Sequence, residues 1–210
     1  MSTPRRALVL VDVQQEYFDG PLEVQHPPRA DSLARITDAI DAAHAAGIPV
    51  VAVQHVAGEG APVFDPTTPR YALHPEVEAR RTADWISVTK RFGTVFAGTD
   101  LVERLRQDGV DTVTFVGYMT NNCILASAAE AETHELAAEV LSDATGAIHL
   151  TNAAGSASAE TVHTTLMTVL HSNLAAVATV EAWTAALTDG TALDKDDLVS
   201  SATHGAQQRA

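Results

Sequence analysis

A chain of 210 residues, 46% of them apolar, has enough material to bury a sizeable core as one domain, so disorder is not its default state. Its 27 acidic against 13 basic side chains argue against a general nucleic-acid or anionic-membrane binder, since both need a basic surface. One cysteine allows no internal disulfide, which fits a reducing cytoplasm, and no apolar run approaches the ~20 residues of a membrane span.

The apolar run Ala7 to Val11 is too short for a signal-peptide core and reads as a strand buried on both faces. In Asp31 to Ala46, Leu33, Ile36 and Ile40 fall at helical spacing and Gly47 stands where a helix stops. Pro49 to Val56 and Trp85 to Lys90 predict the second and third strands. Between them, Ala57 to Asp84 carries Gly58, Gly60, Pro62, Pro66, Pro69 and Pro75, a long loop that reads as a lid or pocket wall. Asp100 to Asp108 predicts a helix capped by Asp100 and ended by Gly109. A strand at Thr112 to Val116, an Ala-rich helix at Asn122 to Leu136 and a strand at Ala138 to Leu141 follow. Then come a helix at Glu160 to His171, a strand at Leu174 to Val180 and a last helix at Glu181 to Leu187. Strands alternating with helices imply βαβ units. The expected fold is α/β, a three-layer α/β/α Rossmann-like sandwich around a mostly parallel six-stranded sheet. Residues 1–187 form the expected domain, and the polar stretch 188–210 reads as a mobile tail.

Ligands of parallel α/β sheets bind beyond the carboxyl ends of the strands. Asp12, Gln54, His55, Lys90 and the stretch Gly117 to Cys123 all follow or close strands, so they can converge although distant in sequence. Cys123 falls where a helix begins, and unpaired N–H groups there favour a thiolate and can hold an oxyanion; elsewhere a lone cysteine is a small buried hydrophobe. Asp12 reads either as a turn cap or as a general base poised by partial burial. Lys90 reads either as a solvated strand end or, beside Asp12 and Cys123, as the charge that lowers the thiol pKa and keeps the carboxylate ionised. Phe18, Gln54, His55, Tyr71 and Trp85 are the candidate pocket walls; Phe18 could stack on a flat substrate or simply pack in the core. His44, His134, His163 and His171 fall on helices, where solvated or capping roles are the ordinary ones. Gln14 stands where a phosphatase of the haloacid-dehalogenase type needs a second Asp. Val13, Gln14 and Gln15 stand where a nucleotide-dependent oxidoreductase needs a glycine-rich turn, so both classes are rejected.

Three blocks resemble a known family. The opening Ala7 to Phe18, with Asp12, Val13, Gln14 and Phe18, is similar to that of isochorismatase-like cysteine hydrolases. Lys90-Arg91-Phe92-Gly93-Thr94-Val95-Phe96 with Gly98 to Leu101 resembles their second block, and Val116-Gly117-Tyr118-Met119-Thr120-Asn121-Asn122-Cys123 resembles their nucleophile loop. The likeness runs from about Arg6 to Val180. It implies a triad of Asp12, Lys90 and Cys123, an oxyanion hole from the N–H groups of Met119 and Cys123, and a cis Tyr118–Met119 peptide. Tyr118 and Asn122 join the substrate-binding candidates.

The nucleophile loop looks most like the metal-independent, streptothricin-hydrolase-like branch. Nicotinamidases of this fold carry an Asp-x-His motif where this chain has Val53-Gln54-His55-Val56, and His55 and His74 lack a metal-site spacing, so neither metal nor cofactor is expected. The implied activity is hydrolysis of an amide, lactam or carbamoyl C–N bond of a small molecule through a thioester, in the cytoplasm, by a homodimer or homotetramer. The alternatives are an isochorismatase-type or nicotinamidase-type hydrolase, or a non-catalytic binding protein on the same fold.

Overall fold

The structure is a computed structural model and describes residues 3–208. Its centre is β1 (Arg6–Val11), buried along its whole length as a strand covered on both faces must be. With β2 (Val50–His55), β3 (Ile86–Lys90), β4 (Thr112–Tyr118), β5 (Ala137–Gly146) and β8 (Ala176–Ala178) it forms one parallel sheet in the order β3-β2-β1-β4-β5-β8. The order reverses between β1 and β4, and at such a switch point the loops leaving two neighbouring strands part and open a crevice. This matches the three-layer α/β expectation.

Alternate side chains of the strands face opposite layers. Leu8 and Leu10 pack beneath α2 (Arg29–Ala46) and α7 (Val180–Asp189), against Ile36, Ile40 and Trp183. Val9, Val11, Val113 and Phe115 face α4 (Leu101–Gln107), α5 (Leu125–Ala131) and α6 (Ala159–Val169), against Leu101, Leu105, Ala128 and Met167. The Asp31–Ala46 expectation is met by α2, which ends at Gly47 in the left-handed conformation with its N–H on the carbonyls of Ala43 and His44. At the amino edge of the sheet, Arg6 and Glu139 form a buried ion pair at 2.8 Å, and Glu139 also accepts from Thr114 and Trp183.

Several boundaries differ from the sequence reading. β5 runs on to Gly146 through polar Ser142 and Asp143, because its pairing with β4 shifts register between Phe115 and Gly117 and a bulge carries the strand onward. The last strand shrinks to Ala176–Ala178, since Leu174 closes a π-turn at the end of α6. The helix expected over Asn122 to Leu136 is a π-turn, Thr120–Ile124, then α5 and a 3₁₀ turn. A small antiparallel hairpin of β6 (Leu150–Asn152) and β7 (Gly155–Ala157) precedes α6. The 57–84 segment holds a 3₁₀ turn, Pro69–Tyr71, and one helical turn, α3 (Pro75–Glu78), while a further single turn, α1 (Glu16–Asp19), follows β1. Near the chain end, α8 (Leu198–Gln207) starts at Asp197, whose carboxylate accepts the N–H groups of Val199 and Ser200. Leu198 and Val199 stay exposed, so α8 buries no apolar face for a periodicity search to find.

Candidate active site

Three strands deliver three side chains to the carboxyl edge of the sheet. Asp12 follows β1 in the left-handed region, at φ 50°, a conformation Asp tolerates better than most residues. Its N–H remains bonded to the Val53 carbonyl of β2. In the neighbouring strand, Gly117 has φ 106°, and a Cβ there would meet the Val11 carbonyl oxygen at 2.2 Å. Only glycine lets β4 pass that close to the end of β1. Lys90 ends β3 and lies in register with His55, the last residue of β2. Cys123 sits in the π-turn after β4. That turn is tied at its base, where the Met119 carbonyl accepts the N–H groups of Asn122 and Ile124. The Cys123 carbonyl accepts the Ser127 hydroxyl at 2.6 Å, and Thr120 Oγ1 meets His163 Nδ1 at 3.0 Å. The Tyr118–Met119 peptide is cis, as the resemblance implied.

These elements bring Asp12, Lys90 and Cys123 together in a buried group. Lys90 Nζ lies 2.7 Å from Asp12 Oδ2 and 3.2 Å from Cys123 Sγ, and 3.0 Å from His55 Nδ1. Fractional exposures of 0, 1 and 2% for Asp12, Lys90 and Cys123 leave almost no water to solvate any of them. Burial therefore raises the Asp12 pKa above the usual carboxylate value, with the Lys90 charge pulling it back down. Asp12 Oδ1 has no hydrogen-bond partner among the described residues, which leaves it open to a proton. Burial, and then the negative charge of Asp12, push the Cys123 thiol up to about 12, against the opposing pull of Lys90. Lys90 pulls the thiol pKa down as expected, but burial and the Asp12 charge outweigh that pull. At rest the sulfur keeps its proton, beside a carboxylate made more basic than a free one. Such a pair can transfer a proton at the moment the sulfur attacks, without a standing thiolate.

His55 is half-buried, and burial followed by the Lys90 charge lowers its pKa to about 4, so its ring is neutral at neutral pH. Asp12, His55 and Cys123 offer metal-type ligand atoms within 4.8 Å of one another. The Lys90 ammonium already contacts all three, and fills the place a cation would take.

The remaining candidates divide. Gln54 donates to the Tyr71 carbonyl at 3.1 Å, so the pair anchors the 57–84 loop beside the site, through the Tyr71 backbone and not its ring. Phe18 lies 4.4 Å from the His74 ring and meets Tyr118 edge-on at 5.7 Å. Asn122 is exposed, beside Gly93. Tyr118 is corrected as a pocket wall, because its ring is fully buried under α2 and its hydroxyl pairs with Ser32 at 2.8 Å. Trp85 is also corrected. It precedes β3, five residues and about 16 Å of extended chain from Lys90. There it binds His44 Nε2 through its indole N–H at the opposite end of the sheet. His163 departs from the solvated or capping reading of the helical histidines. It is buried against Thr120, and burial lowers its pKa to about 4.

Sequence reasoning missed three neighbours. Gln14 accepts the His55 N–H at 2.8 Å and donates to the carbonyls of His55 and Tyr71, pinning β2 and the loop to the Asp12 turn. Tyr17 is buried next to Phe64 and Tyr118, and its phenol is held well above its ordinary pKa by burial and then by the charge of Asp12. Phe64 packs its ring 4.8 Å from His55. Gln14 had a signal in the family-like opening block, whereas Tyr17 in a one-turn helix and Phe64 in the Pro-rich loop read only as apolar side chains.

An isochorismatase domain profile matches residues 6–182. The chain belongs to the isochorismatase family and is a hydrolase of that family. A Burkholderia xenovorans LB400 protein assigned to the isochorismatases has a crystal structure that is 42% identical in sequence. It covers 99% of each chain with a TM-score of 0.95. Streptothricin hydrolase of Streptomyces noursei is 36% identical over 126 residues, which is 60% of this chain and 48% of that protein. The crystal structure of N-carbamoylsarcosine amidase from Thermoplasma acidophilum is 26% identical. It covers 68% of this chain and 84% of that one, with a TM-score of 0.61.

Proposed function

We propose that this protein is a cysteine hydrolase that cleaves an amide, lactam or carbamoyl C–N bond of a small molecule through a thioester on Cys123. The observation that carries the reading is the buried Lys90 ammonium, in contact with both the Asp12 carboxylate and the Cys123 sulfur. The streptothricin hydrolase and N-carbamoylsarcosine amidase among its relatives favour C–N chemistry over a vinyl-ether cleavage that needs no thiol.

In this mechanism the Cys123 S–H proton passes to Asp12 as the sulfur electron pair forms a bond to the substrate carbonyl carbon. The carbonyl oxygen becomes an oxyanion and receives the N–H groups of Met119 and Cys123. Collapse breaks the C–N bond, and the amine leaves with the proton held by Asp12. Water then gives a proton back to Asp12 and attacks the thioester, and the thiol is re-formed as the acid leaves. Lys90 stays an ammonium beside Asp12 while the proton passes from Cys123 to Asp12, leaves with the amine and is replaced from water. Phe18, Gln54, Tyr71 and Asn122 are the proposed substrate contacts on the loop side. A cytoplasmic location rests on the single unpaired cysteine; among the described residues no helix is long and apolar enough to cross a membrane.

The test is intact-mass spectrometry after mixing the protein with amides, lactams and carbamoyl compounds, beside Cys123→Ala. An acyl adduct on the native chain alone supports the proposal, and its mass identifies the acyl half. Turnover that persists in Cys123→Ala refutes it.

A further inference from the structure

Lys90 Nζ has more acceptors than it has protons. Asp12 Oδ2 lies at 2.7 Å, His55 Nδ1 at 3.0 Å, the Phe92 carbonyl at 3.1 Å and Cys123 Sγ at 3.2 Å. An ammonium carries three N–H groups, so four acceptors compete for three donors. Two of the four are fixed: the Phe92 carbonyl is backbone, and the His55 backbone is clamped on both its N–H and its carbonyl by Gln14. The other two are the groups between which the proposed reaction moves a proton.

We infer that His55 is a positioning residue, whose Nδ1, together with the Phe92 carbonyl, holds two N–H groups of Lys90 so that the third points between Asp12 and Cys123. This rests on the proposed thioester chemistry. At rest the third N–H faces the Asp12 carboxylate, and the thiol needs no donor. As the S–H bond breaks and the proton bonds to Asp12, negative charge builds on sulfur until its electron pair bonds the carbonyl carbon. The same N–H then leans to Sγ, with no rearrangement of the lysine side chain. A chain with no acceptor at position 55 leaves the ammonium free to turn and loses that alignment.

His55 Nδ1 can accept only if the ring proton is on Nε2. A protonated ring would present a donor to an ammonium and break the contact. This sets His55 apart from a residue that merely lines a pocket, because its effect is read at the sulfur without any substrate.

Cys123 is the only cysteine, so iodoacetamide modification followed by intact mass reads its reactivity alone. His55→Leu, which keeps bulk and removes the acceptor, slows alkylation roughly tenfold or more, the loss expected for a hydrogen bond to a charged group. His55→Asn places an amide oxygen near the Nδ1 position and restores most of the rate. Far-ultraviolet circular dichroism accompanies both variants, so that a folding defect is not read as lost reactivity. Alkylation of folded His55→Leu at the native rate overturns the inference, and faster alkylation does so too, by showing His55 to be only a cover. Nitrogen-15 spectra of the native protein supply an independent reading: the Nε2–H tautomer at pH 7 is expected, and the Nδ1–H tautomer overturns the inference. Failure of the thioester proposal is distinguishable, because it appears as hydrolysis surviving in Cys123→Ala, while the alkylation and tautomer readings stay interpretable.

Discussion

Replacing Lys90 by methionine leaves a side chain of similar length and removes the ammonium in contact with Asp12. The two charges are 2.7 Å apart with both side chains fully buried. At an effective dielectric constant of about 20 their attraction amounts to roughly 6 kcal/mol. Part of that only offsets the desolvation of the ions, and breaking one side of a buried pair costs about 3–5 kcal/mol. For a chain of this size each kcal/mol moves the Tm by about 2–4 °C, so Lys90→Met should melt roughly 6–20 °C below the native protein at pH 8.

The loss should depend on pH, and its sign follows from Asp12. In the native protein the folded-state pKa of Asp12 is already raised above its unfolded value, with burial as the largest cause and Lys90 opposing it. Removing Lys90 raises it further. A group whose folded pKa is raised favours the folded state below its unfolded pKa and loses that contribution as pH climbs through the folded value. The extra loss in Lys90→Met therefore accrues between the native and the variant folded pKa of Asp12, by about 1.4 kcal/mol per pH unit. Below that window both proteins carry a neutral Asp12 and the difference shrinks. Thermal melts by circular dichroism at pH 5 and pH 8, with Asp12→Asn/Lys90→Met as a third protein, test the reasoning. The double variant should recover much of the stability at pH 8. No recovery in the double variant at pH 8 would show that Asp12 is not a buried charge held by Lys90.

Other perturbations separate the site from its scaffold. Asp12→Asn and Cys123→Ala should each abolish hydrolysis while the fold is kept, and the double variant should be little worse than either, because the members act as a unit; kcat on any substrate found by mass spectrometry checks this. Glu139→Ala strands Arg6 in the core and removes an acceptor from Thr114 and Trp183, for an expected loss of about 3–5 kcal/mol in urea unfolding. Its alkylation rate at Cys123 should stay native, since the pair lies at the other edge of the sheet. Trp85→Phe should leave KM unchanged, as the indole binds His44 and not the site. A several-fold change in KM would return Trp85 to the pocket.

The strand–helix alternation was readable because β1 and β2 are largely apolar runs, β4 is rich in β-branched residues, and the topology obeys one rule, parallel strands joined by crossovers. The same rule brings residues that end strands to one edge, which made Asp12, Gln54, His55, Lys90 and the stretch to Cys123 candidates, and the family resemblance singled out Asp12, Lys90 and Cys123. It also explains the error at Trp85, which stands just before the strand that Lys90 ends, and so lies at the opposite edge of the sheet. Tyr118 failed for a different reason: side chains alternate along a strand, and a residue at the right height can still point into the wrong layer. What sequence could not supply was register. His55 meets Lys90 only because β2 and β3 pair with those two residues opposite each other. A shift of one residue would turn the imidazole to the other face of the sheet and leave the ammonium a different set of acceptors. The electrostatics were unreadable for a related cause. Proximity to Lys90 argues for a low thiol pKa, burial argues for a high one, and only the packed structure shows burial to be the larger effect.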